Sequence, residues 1–216
     1  MYTPKHFEET RTEVMHQLVR AHPLCTLVTL SDDGLLANYI PMLLRPQDGT
    51  LGTLVGHVAR ANSVWRATNF EVPVLALFQG PQHYISPSLY ATKAEHGKVV
   101  PTWNYAVVQA RGRLTVHDDA DWVRQQVTEL TQQQEAARAK PWAVSDAPRD
   151  YTDTMIKAIV GIEIALTQLS GKWKVSQNQV LANQDSLVQA LQQGNADNQA
   201  MAQLVRSFAP GRSNPA

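Results

Sequence analysis

Four short segments mix polar, aromatic and glycine residues in a way that neither a packed core nor a plain linker requires. The first is GHVARAN, residues 56–62, at the end of a predicted strand and the start of a predicted short helix. There His57, Arg60 and Asn62 meet the backbone N–H groups that a helix start leaves free, an arrangement suited to a phosphate. The plainer reading is a strand end with a surface arginine. The second is QGPQHYISPSLY, residues 79–90, which puts Gln79, His83, Tyr84, Ser86 and Tyr90 on a loop stiffened by Pro and Gly. Such a loop fits a binding wall, or else a well-packed surface turn. The third is VVPTWNY, residues 99–105, where Trp103 and Tyr105 offer flat apolar area and Thr102 and Asn104 offer hydrogen bonds. Together they suit a planar heteroaromatic ring, although alternation along a strand could instead send one of the two rings into the core. The fourth is GKWKVSQN, residues 171–178. Lys172 and Lys174 share one strand face opposite Trp173, and Ser176, Gln177 and Asn178 follow. The cationic pair suits an anionic ligand, or protects an exposed edge strand.

Other chemistries lack their residues. Seven histidines occur, none paired at HxxxH spacing, and no HExxH motif exists, so no metal site is expected. His6, His16 and His22 surround the first predicted helix and read as solvent-facing. No GxSxG, Walker or GxGxxG string is present, and Ser86 has no sequence cue to a base. The single cysteine, Cys25, excludes an internal disulfide and a multi-Cys zinc site. Its apolar neighbours predict a small buried side chain.

Lys plus Arg total 19 and Asp plus Glu total 19, and no quarter of the chain departs from neutrality by more than two charges. A domain that grips nucleic acid by its phosphates needs clustered surplus cations, so direct DNA contact is not expected. Charged residues are only 18 % of the chain, which suits a surface partly covered by an oligomeric partner. The opening MYTPKHFEETRTE lacks a basic stretch followed by an apolar one, and no run is long enough to span a membrane. A soluble cytoplasmic protein is the expectation.

The elements that must position these segments follow from periodicity. Residues 8–21 predict an amphipathic helix ended by Pro23. Residues 25–30, 35–44 and 50–58 predict three strands joined by Ser31-Asp32-Asp33-Gly34 and Pro46-Gln47-Asp48-Gly49, hence an antiparallel meander. A short helix over 61–69 precedes a purely apolar, central strand over 72–78. Residues 79–102 read as a long functional loop. A long strand over 103–116, helices over 119–138 and 150–158, and a strand over 159–169 follow. The Gln- and Asn-rich tail predicts a helix capped by Asp185 or Ser186, a further helix over 196–207 and fraying over 210–216. The fold class is α+β, mainly antiparallel β, closed into a barrel with peripheral helices.

In order, MYTPKHF, AHPLCTLVTLSDDGLLAN, GHVARAN, FQGPQHYISPSLY, VVPTWNY, PWAVSDAP, IVGIEI and GKWKVSQN resemble the PaiB-type family of FMN-binding negative transcriptional regulators, over residues 1–180. The resemblance implies an FMN-binding split β-barrel of the pyridoxamine-phosphate-oxidase type over 1–180, with a helical C-terminal extension over 181–216. It implies a homodimer with FMN at the subunit interface. It places Arg60 and Asn62 at the phosphate end with His57 nearby, and Ala37 and Asn38 along the isoalloxazine. Thr102, Trp103 and Asn104 would contact the flavin, and Lys174, Ser176, Gln177 and Asn178 would close the site. Three positions depart from the pattern: Tyr39 stands for a His, Leu89 for a Trp and Gln109 for a His. The functions in view are therefore a regulatory flavoprotein, an NAD(P)H-dependent flavin oxidoreductase, or a flavin-free dimer that binds another planar anion.

Overall fold

A computed structural model describes residues 1–209; the fraying expected over 210–216 lies outside the described residues. After a single 3-10 turn the chain runs β1 (Glu8–Glu9), α1 (Thr12–Ala21), β2 (Leu24–Ser31), β3 (Gly34–Pro41), β4 (Leu43–Arg45), β5 (Thr53–Ala59), α2 (Val64–Ala67), β6 (Val74–Ile85), α3 (Lys93–His96) and β7 (Thr102–His117). It continues through α4 (Ala120–Glu135), α5 (Arg149–Lys157), β8 (Ile159–Lys174), α6 (Leu181–Gln192) and α7 (Ala196–Ser207). The strands follow the order β3-β2-β6-β7-β8-β5-β4, with β1 on β8. The chain divides into two compact units. The larger comprises residues 12–78 and 109–169, and the smaller comprises 1–11, 79–108 and 170 onward.

In the larger unit the expected meander is replaced by two hairpins. β2 pairs with β3 in the register Thr26↔Tyr39, and β4 pairs with β5. The predicted strand 35–44 breaks at Met42, whose N–H donates to Pro23 O at 2.9 Å, just after Pro41, which has no N–H to give. β5 is buried along nearly its whole length, so it needs a partner on each edge. β8 supplies the second, with His57 opposite Gly161. Leu27, Leu54, Val55, Ala76, Ile162 and Ile164 are fully buried and form the core. Cys25 joins them, and burial pushes its thiol pKa up to about 12. His16, expected at the surface, is buried instead because its Nε2 bonds Leu51 O at 2.9 Å. Trp122 of α4 stacks on His117 at 4.0 Å and 6° and covers Gly161. Arg45 lies over the same indole and pairs with Glu129 at 2.9 Å.

In the smaller unit residues 8–11 are not helical as expected, the helix starting four residues late at Thr12. Glu8 and Glu9 pair with Lys172 and Gly171 as a strand, and the buried Glu9 carboxylate accepts the Arg11 backbone N–H at 2.8 Å. The expected loop 79–102 begins as strand, since β6 runs on to Ile85. α6 begins at Leu181, before the expected caps. Ser186 holds the 86–92 turn rather than a helix end: its hydroxyl accepts from the Ala91 N–H at 3.1 Å and donates to Leu89 O at 2.8 Å. Asn183 accepts the Thr92 N–H at 3.0 Å. Trp173, Leu187, Leu191, Met201 and Val205 form this unit's core.

Candidate functional site

In the smaller unit, the start of β7 and the end of β8 bring Thr102, Asn104 and Lys174 beside the turn 175–179. The Lys174 ammonium donates to Thr102 Oγ1 and, at 2.6 Å, to Trp103 O. Asn104, only 1 % exposed, bonds Ser176 through both ends of its amide: Nδ2 donates to Ser176 Oγ at 2.9 Å, and Ser176 Oγ donates to Oδ1 at 3.2 Å. Two neutral polar side chains are thereby satisfied inside the fold. Gln177 folds back on its own strand end, accepting the Val175 N–H at 2.8 Å and donating to Trp173 O at 2.5 Å. It therefore shapes the turn, while Asn178 faces a cavity of about 240 Å³.

That cavity is lined by Thr102, Asn104, Lys174, Ser176 and Asn178, all expected from the sequence, by Tyr90 of the second segment, and by Phe7, Lys98 and Gln179, which the sequence did not single out as site residues. Phe7 lies in the family string MYTPKHF without having been read as a site residue, and Lys98 carried no signal. Two lysines line the cavity and no carboxylate does. Burial first, then repulsion from Lys172, holds the Lys174 ammonium below the ordinary lysine range. Burial raises the Tyr90 phenol, offset in part by the Ser176 hydroxyl. Yet the phenol oxygen completes no hydrogen bond of ordinary geometry among the described residues.

Neither aromatic of the third segment is core. Trp103 is 54 % exposed and meets Tyr84 edge-to-face at 5.9 Å, and Tyr105 lies half-buried under the Lys172 ammonium. The residue that points inward is Asn104 between them. Lys172 and Trp173 are both buried, so the lysine pair does not guard an exposed edge.

In the larger unit the expected residues are also assembled, but their polar atoms are largely used within the chain. Asn62 Nδ2 donates to Asn38 Oδ1 at 2.8 Å while Asn62 Oδ1 accepts the Val64 N–H at 2.9 Å. The Arg60 fork grips Asp118 through Nη1 at 3.0 Å and Nη2 at 2.6 Å, and its Nε reaches Lys157 O at 2.8 Å. This hydrogen bonding raises the Arg60 pKa and lowers that of Asp118. His57 Nδ1 lies 2.8 Å from Gln126 Oε1, and the Gln126 Nε2, fully buried, has no hydrogen-bond partner among the described residues. No group of three or more His, Cys, Asp or Glu among the described residues is placed to hold a metal ion.

Comparison with known proteins gives a consistent set. A family described as "Putative FMN-binding domain" matches residues 1–168. The chain is similar to "Protease synthase and sporulation protein PAI 2" of Bacillus subtilis, with 29 % identity over 95 % of this chain and 96 % of that one. It is 34 % identical to an uncharacterized protein of Emericella nidulans, over 95 % of this chain and 96 % of the relative. Among solved structures, the flavocytochrome Anf3 from Azotobacter vinelandii aligns with TM-score 0.56 at 12 % identity, over 80 % of this chain and 72 % of that one. An FAD and heme binding protein from Mycobacterium smegmatis aligns with TM-score 0.55 at 19 % identity, over 77 % and 73 %. At such identities the likeness shows the fold: an α+β, mainly antiparallel split β-barrel. No helix among the described residues is long and apolar enough to cross a membrane.

Proposed function

The chain belongs to the FMN-binding domain family, and on that premise we propose that it is a homodimeric FMN-binding protein that influences transcription without reading DNA bases. The observation that carries this reading is the acid-free cavity built on Lys174. A half-buried ammonium, a second lysine and the Asn178 amide line one space. That donor set fits the phosphate and ring carbonyls of FMN, whereas a lining carboxylate would repel them. When bound, FMN supplies a ring that takes up hydride or single electrons.

The chain's own residues then have separable tasks. Lys174 presents a positive charge whose direction is fixed by Thr102 and Trp103 O. Asn104 and Ser176 hold the floor rigid, and Gln177 fixes the turn that carries Asn178. Trp103 offers a flat apolar surface. Within the larger unit the family resemblance points to Asn38, His57, Arg60 and Asn62 as flavin ligands, and there an anion at Arg60 competes with Asp118 for the guanidinium fork. The Lys174 cavity is smaller than the ~300–1,000 Å³ of clefts that enclose a whole small molecule, so it suits part of the cofactor.

A second copy of the chain fits the exposed face of β2 and β3. Leu24, Leu30, Leu35 and Tyr39 are 60 %, 37 %, 76 % and 74 % exposed on that face, an apolar patch of the kind that marks an interface. Balanced charge favours a regulatory route other than phosphate-backbone binding.

FMN fluorescence tests the reading. Added FMN is expected to be quenched saturably by the purified protein. Lys174→Ala should weaken binding about tenfold or more, the order expected for one charged hydrogen bond of about 1.5–3 kcal/mol. In the wild type, affinity should fall as pH rises through the Lys174 titration, below the ordinary lysine value of about 10.4, because the lowered pKa removes the proton early. Failure to bind added FMN overturns the reading.

A further inference from the structure

We propose that the cleft between α4 and α5 is a second ligand site, for a small carboxylate with an apolar body. The cleft has a volume of about 540 Å³, inside the ~300–1,000 Å³ typical of small-molecule sites. It lies within the larger unit and shares no residue with the flavin assignment.

Its construction is local. Arg124, Thr128 and Thr131 recur at helical spacing on one face of α4, and Gln132 flanks them. Arg149 and Thr152 stand one turn apart on α5. The third wall is the turn 143–147. It is closed by Asp146, whose carboxylate accepts the Ala143 N–H at 2.9 Å while its own N–H donates to Ala143 O at 2.9 Å. The wall is thus built before any ligand arrives.

Two observations point to an occupant. First, Thr131, Gln132, Ser145 and Arg149 of the lining make no side-chain hydrogen bond or ion pair among the described residues, and Gln132, Ser145 and Arg149 are exposed, so a ligand there displaces only water. Their neighbours are spent: Thr128 donates to Arg124 O at 2.7 Å and Thr152 to Arg149 O at 2.9 Å. Second, the charge count is specific. Arg124 is neutralised by its ion pair with Asp153, no carboxylate lines the cleft, and Arg149 remains. One uncompensated guanidinium matches a monoanion rather than a phosphate dianion, and its planar fork takes both oxygens of a carboxylate. Ala143, Val144 and Ala147 with the threonine methyls give the apolar wall against which a short hydrocarbon body packs.

The test is a titration of the full chain with sodium hexanoate, followed by calorimetry and by amide NMR shifts. Hexanoate is expected to bind saturably and to move the signals of 124–132 and 143–152. Arg149→Ala should weaken it at least tenfold, and Thr131→Val severalfold, with the FMN titration unchanged in both variants. Because the Arg149 and Thr131 side chains make no internal bonds among the described residues, neither change threatens the fold. Three results would overturn the proposal: equal hexanoate binding by wild type and Arg149→Ala, equal binding of uncharged hexanol, or tighter binding of inorganic phosphate than of hexanoate. Loss of FMN binding with hexanoate binding intact would strike the flavin reading and leave this site standing.

Discussion

Ser176 has φ 65°, the only positive φ among the described non-glycine residues. A side chain in that region costs about 1–2 kcal/mol, and here it is held by two bonds to the buried Asn104. Ser176→Ala and Ser176→Gly both forfeit those bonds, at about 1–3 kcal/mol for a buried amide left unpaired. Only the alanine keeps the strain. Denaturant unfolding should therefore find the alanine variant less stable than the glycine variant by roughly 0.5–1 kcal/mol, after the entropy of the flexible glycine chain is allowed for; the reverse order would contradict the strain argument. At this scale the sequence was informative about which residues gather. Thr102, Asn104, Lys174, Ser176 and Asn178 come from two short strings and end around one cavity. It was silent about what those residues bond. Arg60 reads as a free cation, yet its partner Asp118 lies 58 positions away, and only tertiary folding chooses such a partner. Lys98 reaches the cavity from a segment with no periodicity or motif to mark it, and Phe7 from the family string MYTPKHF, where nothing marked it as a site residue.

Two glycines let the long strands approach their neighbours. A Cβ on Gly112 of β7 would fall 2.2 Å from Ala165 O of β8, and one on Gly161 of β8 would fall 2.3 Å from the Trp122 ring. The first obstacle is backbone, which has no rotamer to retreat to. Gly112→Ala is expected to cost at least the ~1–3 kcal/mol of an overpacked core, seen as a lower melting temperature; an unchanged one would mean that the strands separate more easily than their packing suggests. The helices were legible because their stripes are local: α4, α5 and α7 start and end within three residues of expectation. The strands were less so. The predicted strand over 159–169 stops before Ser170-Gly171, but β8 runs on through them to Lys174, since a backbone ladder needs no apolar side chains. The pairing of β5 with β8 rather than β3 joins segments a hundred residues apart, which no window along the chain reveals.

At the scale of the molecule, neutrality and the apolar β2–β3 face belong together. A chain with 19 charges of each sign has little self-repulsion to keep copies apart. Leu35 and Tyr39 are the most exposed large apolar side chains on that face. If a second copy covers it, the wild type should be a dimer by light scattering, and Leu35→Lys with Tyr39→Lys should give a monomer that circular dichroism shows to be folded. A double variant that still dimerises would move the interface elsewhere. Tyr39 is also one of the three departures from the family string, and its exposure shows that this substitution sits on the sheet's outer face rather than in the core.

Cys25 has no accessible surface, and burial pushes its thiol pKa up to about 12, so it carries almost no thiolate near neutral pH. Maleimide and iodoacetamide therefore have nothing to attack on the native protein. A cysteine introduced at Val144 or at Val100 would be the single reactive point, and a fluorophore there would report on one cavity without background from the other.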